Sequence, residues 1–469
     1  MFFTDFKFAL LMPILFGVYW LIPVRMNWLK KWFLLIASYL LYMNFNPTYA
    51  LLLLAISLIT FGGAKLLENG TSFAGGGKIV AVVALMPLLI FKYYNFINES
   101  VFSFLSLFHL RFQLPGLNWA IPVGISFFTF QALGYYLDVY HKRIPAEKNL
   151  VDYLLFVSFF PQIASGPISK ATELLPQIKS LTPFSYDKAA KGCRCFLWGL
   201  FLKIAVADRA GLYVALVLDH YQNFSGLNCL FASFMYSLQI YADFAGYSFM
   251  AIGAAKLLGF DLINNFNHPY FSMSVTDFWR RWHISLSRWL KDYVYIPLGG
   301  NRCSKARNYL NIMATFIVSG IWHGANWTFI LWGMFHGLCQ VIEKVLGLQK
   351  ADSKGVVRAI RVLGTFLIVS FAWILFRSPT IADAFNIVYR IVTLYKGFNV
   401  STEGFEMLAY LAVAFVPFLM FEILHEFYGD LYRLMMHNIF VRWGIYIVLF
   451  SMIILIGVFD GSEFIYANF

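Results

Sequence analysis

Charge is scarce in this chain. Of its 469 residues only 13% are Asp, Glu, Lys or Arg while 60% are hydrophobic, and the mean hydropathy is +0.67. Soluble chains carry about 25% charged and roughly 45–50% apolar residues, so a string of soluble domains is excluded, and so is disorder. Cysteine is scarce too: five residues, with no Cys-x-x-Cys pair, exclude a disulfide scaffold. The sequence also lacks the alternating ten-residue segments of a transmembrane barrel, and it has no Ser/Gly linker, tandem repeat or low-complexity tract. One integral domain over 1–469 is the economical organisation. Positive charge is in relative excess, 36 Lys+Arg against 24 Asp+Glu for a net +12. In a soluble protein that balance could point to nucleic acid; here it reads as basic loops at a cytoplasmic membrane face, with lipids rather than nucleic acid as partners.

What is present is a set of long runs without a formal charge: Phe8–Val24, Trp32–Ala64, Phe112–Leu137, Tyr153–Ser169, Asn308–Ile342 and Trp443–Phe459. A membrane helix needs about 20 mostly apolar residues. Dividing the runs at Pro, Gly and Asn clusters, such as Asn44-Phe45-Asn46-Pro47, predicts an all-α polytopic membrane protein with about 11–12 membrane helices, some kinked or re-entrant. The first run is followed by Arg25, Lys30 and Lys31 instead of a cleavage site, which predicts a retained helix, a cytoplasmic basic loop and an extracytoplasmic N-terminus. Arg302, Lys305 and Arg307 mark a second cytoplasmic loop, and Gly75-Gly76-Gly77 reads as a short loop.

An ionisable side chain in hydrocarbon costs at least a few kcal/mol, so each one must face protein or a water-filled path. Lys203, Asp208 and Arg209 interrupt one span, and Asp243 lies in another. Lys203 and Asp208 read as an ion pair near a helix end or as snorkelling side chains. Asp243 reads as a helix-packing hydrogen-bond acceptor.

Asn308–Ile342 is the most informative run. As one helix it would be about 52 Å long at 1.5 Å per residue, against about 30 Å of hydrocarbon, so it must break. The cluster suited to breaking it is Gly320-Ile-Trp-His-Gly-Ala-Asn-Trp327, whose freed backbone groups need a protein or cavity environment. That places His323 against a cavity instead of lipid. An imidazole there can take a proton from a hydroxyl and return it, as general acid–base catalysis requires. The competing reading of His323 is a side chain that only bonds a carbonyl across a helix contact. His336, in Trp332-Gly-Met-Phe-His336, is expected to be a packing residue of that kind. No histidine pair has zinc-ligand spacing, and no metal is expected.

The segment Asp277-Phe-Trp-Arg-Arg-Trp-His-Ile-Ser-Leu-Ser-Arg-Trp-Leu-Lys-Asp292 places Trp279, His283, Leu286 and Leu290 at helical spacing on one face, with Arg280, Arg281 and Arg288 elsewhere. It predicts an interfacial amphipathic helix. Lipid anchoring accounts for its arginines and tryptophans but less well for His283. Arg280 and Arg281 would also suit a phosphate-bearing donor such as coenzyme A or a phosphopantetheine arm. Pro122-Val-Gly124 and Ala164-Ser-Gly-Pro167 interrupt two further chargeless runs and predict kinked or re-entrant helices lining an interior path. An inverted-repeat transporter would place such breaks at corresponding positions in two halves. These two lie in one half, and the break at His323 has no counterpart.

Six ordered blocks carry a family likeness: Pro122-Val-Gly-Ile-Ser-Phe-Phe-Thr-Phe-Gln131, Phe160-Pro-Gln-Ile-Ala-Ser-Gly-Pro167, Tyr241-Ala-Asp-Phe-Ala-Gly-Tyr-Ser248, Phe278-Trp-Arg-Arg-Trp-His-Ile-Ser-Leu-Ser287, Tyr295-Ile-Pro-Leu-Gly-Gly-Asn-Arg302 and Gly320–Trp327. Spread over 120–345, they resemble the membrane-bound O-acyltransferase family in its bacterial alginate O-acetyltransferase-type branch, which is related to the D-alanyl transferase of teichoic acids. The resemblance implies that fold, a bacterial cytoplasmic membrane location, and transfer of an acyl group, most often acetyl. The donor would be a cytoplasmic thioester such as acetyl-coenzyme A, with no tightly bound cofactor. The acceptor would be a hydroxyl of an exported polysaccharide or cell-wall polymer, reached by way of an extracytoplasmic acyltransferase partner. It also implies His323 as the catalytic histidine and His283 as a second one. Ala245, where the family usually has Ser, and Phe249, where it often has Asp, weaken any polar substrate role for that helix. The rival reading is a transporter or flippase for a polar lipid or acyl carrier, with His323 in a proton relay; release of coenzyme A from acetyl-coenzyme A by the purified protein separates the two.

Overall fold

The computed structural model describes residues 3–69, 76–110, 112–349, 353–394, 397–398, 400–459 and 465. Among them the ordered structure is helical, with no strand. Five helices are individually long and apolar enough to cross a membrane: Pro47–Glu68, Gly77–Ser106, Gly355–Arg377, Thr402–Phe427 and Ile439–Ile456. A sixth span results if Phe6–Leu21 and Val24–Met43, bent by 102°, act together. The chain is thus an all-α polytopic protein. By length and composition alone the described residues give five or six spans against the 11–12 helices expected, because some chargeless runs form shorter helices and others, such as Gly226–Leu257, Lys305–His323 and Trp327–Val345, are long enough but less apolar. The chain packs as two compact units. One comprises Met1–Arg194, Ala251–Ile263 and Tyr466–Phe469, the other Cys195–Met250 and Asn264–Ile465.

In the first unit Asn44–Pro47 divides its run as expected. Asn46 caps Pro47–Glu68 by accepting the Thr48 N–H at 2.9 Å, with Pro47 in the first turn, where its missing N–H costs nothing. The basic loop expected after the first run is instead largely helix, because nothing between Asn27 and Met43 breaks one. Lys30 is only 1% exposed, its ammonium 4.7 Å and 4.6 Å from the rings of Tyr19 and Trp20, and Lys31 pairs with Asp152 at 2.8 Å. The glycine loop is also revised. Gly76 and Gly77 begin the helix Gly76–Ser106, while Gly75 lies outside the described residues. A Cβ on Gly77 would meet the Tyr140 ring at 2.3 Å, so close packing is what requires glycine there.

The two interruptions at Pro122–Gly124 and Ala164–Pro167 meet. Gly124, at φ 74°, precedes the helix Ile125–Tyr140, and a Cβ on it would lie 2.1 Å from the Ile163 carbonyl. The break between Leu150–Ser158 and Phe160–Ile163 diverts the Phe160 N–H to Ser38 Oγ at 3.1 Å. The Phe156 carbonyl that this N–H would otherwise serve accepts the amides of Gln131 and Gln162 instead. Backbone groups freed at the break are resatisfied by side chains, as buried polar groups require.

In the second unit the Asn308–Ile342 run breaks as predicted, into Lys305–His323 and Trp327–Val345. Each has 19 residues, about 28 Å at 1.5 Å per residue. The break itself is narrower than expected. Gly324 ends the first helix and Asn326 caps the second by accepting the Thr328 N–H at 3.0 Å, whereas Gly320 lies inside a helix. A Cβ on Gly320 would sit 2.3 Å from the Phe329 carbonyl, and one on Gly333 2.3 Å from that of Phe316. Small residues here let the two backbones touch.

The segment expected to form one interfacial helix over 277–292 is instead two seven-residue helices, Val275–Arg281 and Ile284–Leu290. His283 stands between them in the left-handed conformation, φ 43°. Asn265 holds the turn, its carbonyl accepting the Ile284 N–H at 2.9 Å and its Oδ1 the Ser285 N–H at 3.1 Å. Periodicity could not show this break, since a single residue in the left-handed conformation leaves no mark on the spacing of apolar residues.

Candidate active site

His323 is the last residue of Lys305–His323 and is 1% exposed. Its ring centroid lies 4.9 Å from Trp332, 5.4 Å from Phe376 and 6.5 Å from His283. His283 packs edge-on against Phe244 at 4.6 Å and lies 5.7 Å from Trp322. The fold therefore brings together the two histidines singled out from sequence, one from a helix end and the other from a turn. A left-handed, non-glycine residue is strained, and such strain persists where the surroundings over-determine it. Here Asn265 and the aromatic rings do so.

His283 lies between two short helices, outside any spanning helix, and burial pushes its imidazole down from 6.5 to about 3. It is accordingly a neutral ring at physiological pH, able to accept or donate a hydrogen bond without carrying charge.

Around the pair is a wall of indoles. Trp332 and Trp373 stack at 5.7 Å, Trp282 lies 5.1 Å from Trp373, and Trp279 lies 5.5 Å from Trp332. His336 accepts the Trp279 Nε1–H on Nδ1 at 3.2 Å, a contact with a neighbouring helix as expected, but made to an indole and not to a carbonyl.

The two arginines suggested for donor binding are placed differently. Arg281 pairs with Glu426 at 2.8 Å and Asp277 at 3.3 Å, and the second Glu426 oxygen holds Arg358 at 2.8 Å. Arg280 is exposed. Lys203 is buried between Asp208 at 2.7 Å and Asp243 at 2.8 Å, and Asp243 Oδ2 also accepts the Ile465 N–H at 2.9 Å. The expected ion pair is thus a triad, and Asp243 is an acceptor within it.

Sequence reasoning missed Glu422, although a carboxylate directly after the apolar stretch 407–421 of the helix Thr402–Phe427 is the signal that should have exposed it. It accepts the Tyr241 hydroxyl at 3.0 Å and pairs with His268 Nδ1 at 3.0 Å. Phe376 and Trp332, which wall the site, carried no local signal, since aromatic residues abound throughout the chain. Among the described residues no group of three or more His, Cys, Asp or Glu is placed to hold a metal ion.

Residues 83–381 match the membrane-bound O-acyltransferase family, and this span encloses the motif-bearing stretch 120–345. The chain is 36% identical over 424 residues to the probable alginate O-acetylase AlgI of Pseudomonas aeruginosa, covering 87% of this chain and 79% of that protein. It is 33% identical over 399 residues to the peptidoglycan O-acetyltransferase of Helicobacter pylori, covering 78% and 74%. With the teichoic acid D-alanyltransferase of Bacillus subtilis it shares 27% identity over 280 residues, covering 58% and 68%. The helical architecture and these similarities agree: the chain belongs to the membrane-bound O-acyltransferase family and is an O-acyltransferase.

Proposed function

We propose that this protein moves an acyl group, in the leading case acetyl, from a cytoplasmic thioester such as acetyl-coenzyme A across the bacterial cytoplasmic membrane. The final acceptor is a hydroxyl of an exported polysaccharide or cell-wall polymer, reached with an extracytoplasmic acyltransferase partner. The names of the relatives support this class of acceptor, one acting on alginate, one on peptidoglycan and one on teichoic acid. The observation that carries the catalytic part is the convergence of His283 and His323, ring centroids 6.5 Å apart, inside a buried aromatic enclosure.

In this reading His323 is the general base. As the hydroxyl that first takes up the acyl group from the donor attacks the thioester carbonyl, its proton passes to the imidazole, an O–C bond forms, and the C–S bond breaks. The proton then goes to the departing thiolate, so the ring returns to its starting state. A thioester is already activated, and what the protein adds is proximity, a base and exclusion of water. His283, neutral and close by, orients substrate or the His323 ring. Arg280, exposed beside the site's short helices, contacts the donor's phosphates; Arg281 contributes through the carboxylate network that holds it. The N-terminus lies outside the cytoplasm, and the loop with Arg302 lies inside.

The test is release of coenzyme A by purified protein given acetyl-coenzyme A and an acceptor, together with mass spectrometry of the exported glycan from cells with and without the protein. Flipping or uptake of an unmodified substrate with no thiol release would replace this reading by a transporter.

A further inference from the structure

The helix Val275–Arg281 has only seven residues, too short to hold itself together, because an isolated helix that short is unstable in water. Its position and its rotation about its own axis must therefore come from its neighbours. Two of those contacts come from one helix. Glu343, near the end of Trp327–Val345, accepts the Val275 N–H, the Thr276 N–H at 2.9 Å and the Thr276 hydroxyl at 2.8 Å, which caps the short helix at its start. Two turns earlier on the same helix His336 accepts the Trp279 indole N–H at 3.2 Å. Residues seven apart share a helix face, so a single face of Trp327–Val345 holds Val275–Arg281 at its start and at Trp279.

The second contact bears on rotation about the helix axis from the middle of the helix, while its far end is held by the Arg281–Glu426 pair at 2.8 Å and by the Asn267 N–H on the Arg281 carbonyl at 2.9 Å. Trp279 is four residues before His283, which is separated from the helix end only by Trp282. The holding helix also supplies Trp332, whose ring lies 5.5 Å from Trp279 and 4.9 Å from His323. Trp279 is a donor only, so Nδ1 of His336 carries the lone pair and its proton is on Nε2.

We propose that His336 is a positioning residue for acyl transfer: by accepting the Trp279 N–H it sets the rotation of Val275–Arg281 and hence the separation of His283 from His323. The assignment rests on the reading of the histidine pair as the reaction centre. A misplacement of about 1 Å in a catalytic constellation can cost about 10²-fold in rate, so a bond that touches no substrate can control turnover.

His336→Asn keeps an acceptor, Oδ1, at the branch position of Nδ1, whereas His336→Leu removes it and Trp279→Phe removes the donor. We expect His336→Leu to lower kcat about tenfold or more with the KM for acetyl-coenzyme A unchanged, at wild-type abundance. His336→Asn should recover most of the loss, and the Trp279→Phe, His336→Leu double variant should be no worse than the poorer single one, since both remove the same bond. A readout independent of acyl transfer is hydrogen–deuterium exchange of the Ile284 and Ser285 amides that Asn265 holds. Their exchange should quicken in His336→Leu and stay at wild type in His336→Asn. Equal failure of the Asn and Leu variants, additive losses in the double variant, or wild-type exchange in His336→Leu would each overturn the proposal. If His323→Gln proved active while exchange at 284–285 followed the pattern above, the base assignment would fall and the positioning of the turn would stand.

Discussion

Replacing His323 by glutamine keeps a hydrogen-bonding side chain and removes the ring that can take a proton. A general base contributes about 10²–10⁴-fold, so His323→Ala and His323→Gln should both lose acyl transfer to that depth in a protein that remains inserted and abundant. His336→Ala should lose less. Glycan acetylation normalised to protein level measures all three, and a glutamine variant with most of its activity would make His323 structural. His283 contributes in a different way. Its folded value of about 3 lies below the ordinary 6.5, so the folded state favours the neutral ring. The stability this confers is complete above 6.5 and drains away as pH falls towards 3, where the unfolded chain binds a proton the folded one refuses. Thermal midpoints measured across that window should fall with acid, and His283→Gln should flatten the slope.

At the scale of the element, the hairpin Lys305–His323 and Trp327–Val345 depends on its glycines. Gly320→Ala or Gly333→Ala forces a methyl to within 2.3 Å of a carbonyl on the opposite helix, and overpacking of this kind costs about 1–3 kcal/mol. Gly364, in the interior of Gly355–Arg377, has nothing within 4 Å of an added Cβ. Gly364→Ala should therefore be neutral or slightly stabilising, by up to about 1 kcal/mol. Thermal midpoints in detergent compare the three, and equal effects would mean that the backbones do not meet at Gly320. The arginines beside the site should also separate. Arg281→Ala leaves Glu426 with Arg358 alone and should lower stability, whereas Arg280→Ala should raise the KM for the donor with a normal melting profile. If Arg280→Ala left donor dependence unchanged, the residue would be a lipid contact.

Across the whole molecule the open variable is sidedness. Lys30 is drawn into aromatic contacts and Lys31 into an ion pair with Asp152, both on a helix, so Arg25 is left to mark the first basic turn, and the loop with Arg302 carries the orientation signal more cleanly. A reporter inserted between Arg302 and Ser304 should read as cytoplasmic and one at Asn46 as external. The reverse pair of signals would invert the topology and with it the direction of acyl transfer.

Much of this was readable from sequence because it follows from short-range rules. Low charge and long apolar runs dictate a membrane protein, since hydrocarbon accepts little else. The length of Asn308–Ile342 demanded a break, and the cluster Gly320–Trp327, with its two glycines and an asparagine, located it within a few residues. The motif blocks carried the family likeness and named His323 and His283. What no local rule supplied was which faces meet. The turn at His283, the Trp279–His336 bond, Glu422 between Tyr241 and His268, and Lys203 between two carboxylates all join residues from separate helices. A helical period is the same whether its apolar face meets lipid, an indole or another backbone, so only the tertiary packing could decide among them.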